Sequence, residues 1–178
     1  AAGLAREVWR VDLAGGEDEP GFHDWLCREI ERQGQADRLT PVGPLTGAAK
    51  SAALAAAQGL VLPSLAEGLP MSMLEAMAAG LPVIVSAVGA VPEVVRQDVD
   101  GLIVPPGDAV ALAAALDDLA RGPERRAAMG AAGKARCREL FGIERMADAL
   151  VALYAQLPAG EAVSEANCQH ARSRAERR

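Results

Sequence analysis

The sequence predicts an α/β fold in which a parallel sheet is covered by helices on both faces. Three observations support this class. Short apolar runs alternate along the chain with segments of helical composition, as in consecutive βα units. Hydrophobic residues make up 51% of the 178 residues but aromatic residues only 3%, so the core must consist mainly of Ala, Leu and Val. Glycine and proline stand at the ends of the helical segments, where they terminate helices.

Short apolar runs predict the strands of a Rossmann-like parallel sheet of about five strands. Each run is bounded by residues that favour turns or helix starts. The runs are residues 8–13, 39–43, 60–63, 81–86 and 101–105.

Three helices are predicted between the first four strands. The first, at residues 20–33, has Pro20 near its start and Gly34 after its end. The second, at residues 47–57, is rich in alanine. For the third we expect Pro70 in the first helical turn, where its missing N–H costs nothing, and Gly80 at the C-cap.

Further helices are predicted in the C-terminal part of the chain. Asp108 is a suitable N-cap for a helix that ends at Gly122 and Pro123. Residues 123–139 have a helical composition that two glycines interrupt. The apolar stripe over residues 143–154 predicts a last helix that packs on the sheet or on a neighbouring domain.

The length predicts one domain with attachments, because domains usually contain about 100–200 residues. We expect residues 1–157 to form this domain. Residues 158–178 have little apolar periodicity, which predicts a disordered tail. The net charge of −6 gives no electrostatic basis for binding nucleic acid.

The cysteines indicate neither a metal site nor a disulfide framework. Cys27, Cys137 and Cys168 are widely spaced and form no CxxC motif. No apolar run reaches the ~18–20 residues of a membrane span, and the first residues lack the layout of a signal peptide. We therefore expect the protein to lie in the cytoplasm, where a location at the inner face of the membrane is also compatible with the sequence.

The segment after the third predicted strand has the features of a phosphate-binding site. A loop at residues 64–69 leads into a helix near Pro70, at the edge of the sheet where ligands bind in such folds. The free N–H groups and positive dipole of a helix N-terminus favour a phosphate, and Gly68 allows close approach. The N–H groups available there belong to Leu69, Met71, Ser72 and Met73.

Two carboxylates flank this helix start, Glu67 in the loop and Glu75 inside the helix. If both face the cleft, they can accept hydrogen bonds from the ribose and the hexose of a nucleotide sugar while the helix end holds its diphosphate. A glycosidase acid pair is a rival interpretation, but it needs no phosphate-binding helix end. Taken alone, Glu75 is more simply a solvated helix residue, and Lys50 a solubilising charge rather than a phosphate ligand.

Residues 63–95 and 100–108 resemble the C-terminal, donor-binding half of the retaining GT-B glycosyltransferases known as group 1 or family 4. The family signature is a Glu, seven residues and a second Glu, which Glu67 and Glu75 match. The resemblance extends from about residue 8 to residue 154. The surrounding matches are Pro63-Ser64, Gly68, Leu74, Ala76, Gly80, Pro82-Val83, Gly89 and Pro92-Glu93.

This resemblance implies transfer of a sugar from a nucleotide-diphosphate sugar to a glycan or lipid-linked acceptor, with retention and without a metal or other cofactor. It implies that Glu67 is the catalytic residue that contacts the donor sugar, and that Glu75 holds the ribose. The backbone amides of residues 68–73 would stabilise the leaving diphosphate. It also implies a partner N-terminal GT-B domain and is compatible with peripheral membrane association.

The sequence departs from the family at several places. The family's Arg and Lys beyond the first strand of this domain have no equivalent here, and its Gly-Gly pair is Gly89-Ala90. We expect the first βα unit and the N-terminal acceptor-binding domain to be missing, so that this chain alone is inactive. Two alternatives remain open: a non-catalytic nucleotide-binding or interaction module, and a sugar-nucleotide 2-epimerase, although the acid-base set of an epimerase is not found.

Overall fold

The computed structural model describes residues 9–17 and 19–156, and the predicted tail at residues 158–178 lies outside the described residues. The chain divides into two compact units, residues 1–138 and residues 139–178. The elements in chain order are β1 (Val11–Ala14), α1 (Phe22–Arg32), β2 (Leu39–Gly43), α2 (Gly47–Ala56), β3 (Leu60–Leu62), α3 (Met71–Ala79), β4 (Val83–Ser86), α4 (Val91–Val94), β5 (Gly101–Val104), α5 (Ala109–Arg121), α6 (Pro123–Phe141) and α7 (Ile143–Gln156).

The predicted parallel pairing is confirmed, but the described strands form two hydrogen-bonded groups rather than one continuous sheet. β1 pairs with β2, and β3, β4 and β5 form a second sheet with β4 in the centre. Pro41 in β2 has no N–H to donate, which is typical of an edge strand. At the centre of the second sheet, Val83 is paired with Leu60 on one side and with Gly101 on the other.

Helices cover both faces of the three-stranded sheet, as the sequence predicts. Successive side chains of a strand point to opposite faces. Val83 and Val85 of β4 therefore pack in one apolar cluster with α3 and α4. Ile84 lies in a second cluster with α5 and with Met129 of α6. All three β4 side chains are almost fully buried, so this strand is the centre of the core.

The predicted interruption of the helix after residue 123 is wrong, because α6 is continuous through both of its glycines. A Cβ atom at Gly130 would overlap the carbonyl oxygen of Gly80, which ends α3. A Cβ at Gly133 would lie 3.7 Å from the Cγ atom of Met77. The distance at Gly133 is an ordinary van der Waals contact, so it is Gly130 that allows α6 to approach α3 closely, a packing role that outweighs its low helix propensity.

The second unit is described over residues 139–156 and consists of the end of α6 and the whole of α7. The apolar stripe of α7 is exposed, including Ile143, Leu150 and Tyr154. Its packing on the sheet or on another domain stays a prediction. In the part of the chain that the structure describes, no helix is long and apolar enough to cross a membrane.

Candidate functional site

The predicted phosphate-binding helix start is present as the N-terminus of α3. Pro70 is the N-cap, with an extended ψ of 119°, so it lies one position before the helical turn in which the sequence placed it. No side chain caps this end. The first backbone bond runs from the N–H of Leu74 to the carbonyl of Pro70, at 3.4 Å.

The N–H groups of Met71, Ser72 and Met73 consequently have no acceptor within the helix, and none is found elsewhere among residues 9–17 and 19–156. The side chains of Met71 and Ser72 are exposed, whereas that of Met73 is fully buried in the core. The exposure of Met73 is 0% for the whole residue, backbone included, so a ligand at this end reaches the N–H groups of Met71 and Ser72, and the N–H of Met73 acts only through the helix dipole. Leu69, in the preceding loop, is 37% exposed.

Glu67 lies half-buried in the loop before α3 and is held by a neighbouring hydroxyl. Ser64 Oγ donates to Glu67 Oε1 at 2.8 Å. No hydrogen bond to Oε2 is found within the described ranges. The loop thus fixes one carboxylate oxygen and leaves the other to accept a bond from a ligand hydroxyl.

Backbone contacts hold this loop against the turn between β4 and α4. The N–H of Ala90 donates to the carbonyl oxygen of Gly68 at 2.9 Å. Gly89 has a φ of +52°, and a Cβ atom there would overlap the carbonyl oxygens of Glu67 and Gly68. In the sequence, Gly89 is recognisable only as part of the family motif. The structure shows that the lack of a side chain at Gly89 allows the two loops to pack against each other.

Glu75 forms an ion pair with Lys50 of α2. Lys50 Nζ lies 2.7 Å from Glu75 Oε1, and the two side chains are 41% and 35% exposed. The interpretation of Lys50 as a solubilising charge is therefore corrected to that of an ion-pair partner. The available signal was weak: Lys50 is the one charged residue of an otherwise apolar and small-residue helix.

The carboxyl ends of the strands open into pockets, as expected for parallel sheets. A pocket of about 140 Å³ lies where β4 and β5 end, and Pro63, Ser86, Val104 and Asp108 are among its lining residues. The buried Ser86 hydroxyl has no hydrogen-bond partner in the described part of the chain. Asp108 caps α5 by accepting from the N–H groups of residues 110 and 111, so that helix end, unlike α3, is already satisfied.

A second pocket, of about 260 Å³, lies where β1 and β2 end. Gly15, Gly16 and His23 are among its lining residues. His23 Nε2 lies 3.6 Å from Cys27 Sγ. Over residues 9–17 and 19–156, no cluster of three or more His, Cys, Asp and Glu side chains suitable for a metal ion is found.

This chain is similar to known proteins in sequence and in structure. A mannosyltransferase of Mycolicibacterium hassiacum, the MMP alpha-(1->4)-mannosyltransferase, is 35% identical over 126 residues, which are 70% of this chain and 31% of that protein. The chain thus spans about a third of the length of the curated relatives it matches. A sucrose-phosphate synthase of Thermosynechococcus elongatus superimposes with a TM-score of 0.74 at 33% identity, over 83% of this chain and 38% of that one.

The fold also matches more distant structures. The Anabaena protein Alr3699/HepE, in complex with UDP, has a TM-score of 0.77 at 22% identity and covers 84% of this chain and 41% of its own; this likeness shows the fold alone. Residues 1–136 match the family described as "Glycosyl transferases group 1". Because that match extends over every strand of both sheets, the chain belongs to the family of group 1 glycosyl transferases.

Proposed function

We propose that this chain binds the donor of a glycosyl transfer, a nucleotide-diphosphate sugar, at the N-terminus of α3. The observation that carries the proposal is an uncapped helix end flanked by two half-buried carboxylates, Glu67 and Glu75. An anion satisfies the unpaired N–H groups of such an end and interacts favourably with the helix dipole. The carboxylates on either side accept hydrogen bonds from sugar hydroxyls.

In the proposed reaction the diphosphate is the leaving group, and negative charge builds on it as its bond to the sugar breaks. The N–H groups of Met71, Ser72 and Met73 are fixed before the reaction, so they stabilise this charge without reorganisation. Gly68 and Leu69 are exposed and directly precede Pro70 in the chain, and we propose that they contact the same diphosphate. The proposal assigns this stabilisation to the backbone and to no metal ion or other cofactor.

Glu67 is the proposed catalytic residue, in contact with the donor sugar through the carboxylate oxygen that Ser64 leaves unused. Glu75 is the proposed ligand of the ribose hydroxyls. We further propose that transfer occurs with retention at the anomeric carbon, as in family 4, and that the acceptor is a glycan or a lipid-linked saccharide. Acceptor binding is assigned to an N-terminal domain that pairs with this one in the cytoplasm or at the inner face of the membrane.

The relatives support the class of donor. The Anabaena protein was crystallised with UDP, and the Mycolicibacterium protein is a mannosyltransferase. The family match and the described residues favour neither of the two alternatives, the non-catalytic module and the 2-epimerase. Since this chain covers about a third of its curated relatives, the proposal concerns donor binding first and turnover second.

Calorimetric titration of the chain with UDP, GDP and ADP tests the proposal. We expect heat of binding with at least one of them, and about a tenfold loss of that affinity in Glu75→Ala. A hydrogen bond to a charged group contributes about 1.5–3 kcal/mol, and about 1.4 kcal/mol corresponds to tenfold. Glu31→Ala is the matched control, because Glu31 is an exposed acid on α1, away from the site.

If none of the three nucleotides binds, the proposed function is contradicted. If the wild-type chain and Glu75→Ala bind the nucleotide with equal affinity, only the proposed role of Glu75 in binding the ribose is contradicted. A similar loss in Glu31→Ala would show that the effect of Glu75→Ala is not specific to the site.

A further inference from the structure

We propose that Lys50 is a positioning residue: it holds one oxygen of the Glu75 carboxylate, so that the other accepts the ribose hydroxyls and the site selects ribonucleotides. This inference rests on the proposed function, because it assumes that a nucleotide occupies the start of α3. It assigns to this chain a selectivity determinant on α2, outside the two-glutamate motif.

The geometry of the pair supports a fixed carboxylate. Lys50 Nζ donates to Glu75 Oε1 at 2.7 Å, the length of a strong charge-assisted hydrogen bond. No further hydrogen bond to the Glu75 carboxylate is found in the part of the chain that the structure describes. A long side chain tethered at one oxygen loses rotamer freedom before the ligand arrives, so ribose binding does not have to supply that ordering.

The pair specifically connects α2 to α3. On a helix, a charged residue usually finds its partner three or four positions away, but Lys50 and Glu75 have no such partner on their own helices. The positions three or four residues away from Lys50 are Thr46, Gly47, Ala53 and Leu54, and those from Glu75 are Met71, Ser72, Ala78 and Ala79. The ion pair therefore fixes Glu75 to a different helix, 25 residues earlier in the chain.

Burial indicates that the pair is not mainly a stabilising device. The side chains of Lys50 and Glu75 are 41% and 35% exposed, so solvent screens their attraction, and pairs of this kind contribute little to stability. Removing the Lys50 charge should thus leave the fold intact while it frees the carboxylate. A change in nucleotide binding after substitution of Lys50 can therefore be attributed to the site rather than to unfolding.

The test compares UDP with 2′,3′-dideoxy-UDP, which lacks both ribose hydroxyls, by calorimetric titration of the full chain; the guanosine pair is measured in the same way. We expect the wild-type chain to bind the ribonucleotide about tenfold more tightly than the dideoxy analogue. In Lys50→Met this ratio should fall to about two- to threefold, and Lys50→Arg should restore most of it. Lys134→Met, on α6, is the control and should keep the wild-type ratio.

A double variant checks that Lys50 acts through Glu75. In Lys50→Met combined with Glu75→Gln, the ratio should be no lower than in Glu75→Gln alone, since the two residues act as one unit. If Lys50→Met weakens UDP and its dideoxy analogue equally and keeps the ratio, Lys50 acts on the phosphates and the inference is wrong. If the wild-type chain binds neither UDP nor GDP, the proposed function fails and the inference with it.

Discussion

Substitution of Asp100 by Ala is expected to lower the free energy of unfolding by about 3 kcal/mol, the largest stability effect that we predict for a single polar side chain. The Asp100 carboxylate is fully buried before β5. Its two oxygens accept from the Arg96 guanidinium at 2.7 Å each, and Arg136 Nε lies 3.6 Å away. Loss of the carboxylate leaves the mostly buried guanidinium of Arg136, which is 19% exposed, with the backbone carbonyls of Glu93 and Val94 as partners but no counter-charge in the described part of the chain.

The same carboxylate makes the stability depend on pH. Burial of Asp100 raises its pKa, but hydrogen bonds from the side chain and backbone of Arg96 and the charges of Arg96 and Arg136 outweigh burial and lower the pKa below the ordinary value of an aspartate. A lowered pKa in the folded state stabilises the protein above the ordinary value, and this contribution is lost as the pH falls through the lowered pKa. The difference between the wild type and Asp100→Asn should therefore narrow below about pH 4.

Urea unfolding of the wild type, Asp100→Ala and Asp100→Asn at pH 7 and at pH 3 measures both effects. Asp117→Asn is the matched control, because Asp117 pairs with Arg121 on the surface of α5. We expect this control to change stability by no more than about 1 kcal/mol. A difference between wild type and Asp100→Asn that is the same at both pH values would contradict the account of Asp100.

Substitution of Gly89 by Ala is expected to reduce nucleotide affinity more than tenfold. The new Cβ would overlap the carbonyl oxygens of Glu67 and Gly68, so the loop before α3 must move away. That movement breaks the bond from Ala90 N–H to Gly68 and displaces Glu67 from the helix start. A displacement of about 1 Å at such a site can cost about 100-fold in rate, and we expect binding to suffer in the same direction.

Gly34→Ala separates this steric effect from the cost of the backbone conformation. Gly34 also has a positive φ, of +63°, but a Cβ there has open space around it. In both variants the alanine must adopt the left-handed backbone conformation, which destabilises the fold by about 1 kcal/mol. Only Gly89→Ala should lose affinity for UDP. Circular dichroism verifies that both remain folded. Retention of nucleotide binding by Gly89→Ala would refute the proposed contact between the loops.

Local patterns predicted the elements of this fold better than their arrangement. The alternation of apolar runs and helical segments locates the strands, because a buried strand needs continuous apolar residues. It does not reveal that the described strands form two hydrogen-bonded groups, since pairing is decided by contacts between distant residues. The glycines of α6 illustrate the same limit: helix propensity predicts a break at Gly130, but close packing on Gly80 explains its presence.

The candidate site was predictable where its residues are adjacent in sequence, and not where they come from other elements. Glu67 and the N-terminus of α3 follow from one segment, whereas the pairing of Lys50 with Glu75 joins two helices. Asp100 lies in the polar segment at residues 96–101, which has the composition of a turn, so its complete burial could not be inferred from the sequence. Separation in sequence hides the contact of Lys50 with Glu75 and that of Arg136 with Asp100. Arg96, in contrast, is only four residues from Asp100, and it is the burial of Asp100 in that pair that the sequence does not indicate.

The most direct test of the central claim is amide NMR of the ¹⁵N-labelled chain, titrated with UDP and, separately, with uridine. If the N-terminus of α3 binds the diphosphate, the amide resonances of Met71, Ser72 and Met73 shift with UDP and not with uridine, because the N–H groups of Met71 and Ser72 contact the phosphates and Met73 lies in the same helical turn. If UDP binds but these three resonances stay unmoved while those around the pocket at Gly15 and Gly16 shift, the diphosphate lies elsewhere and the account of the site is contradicted.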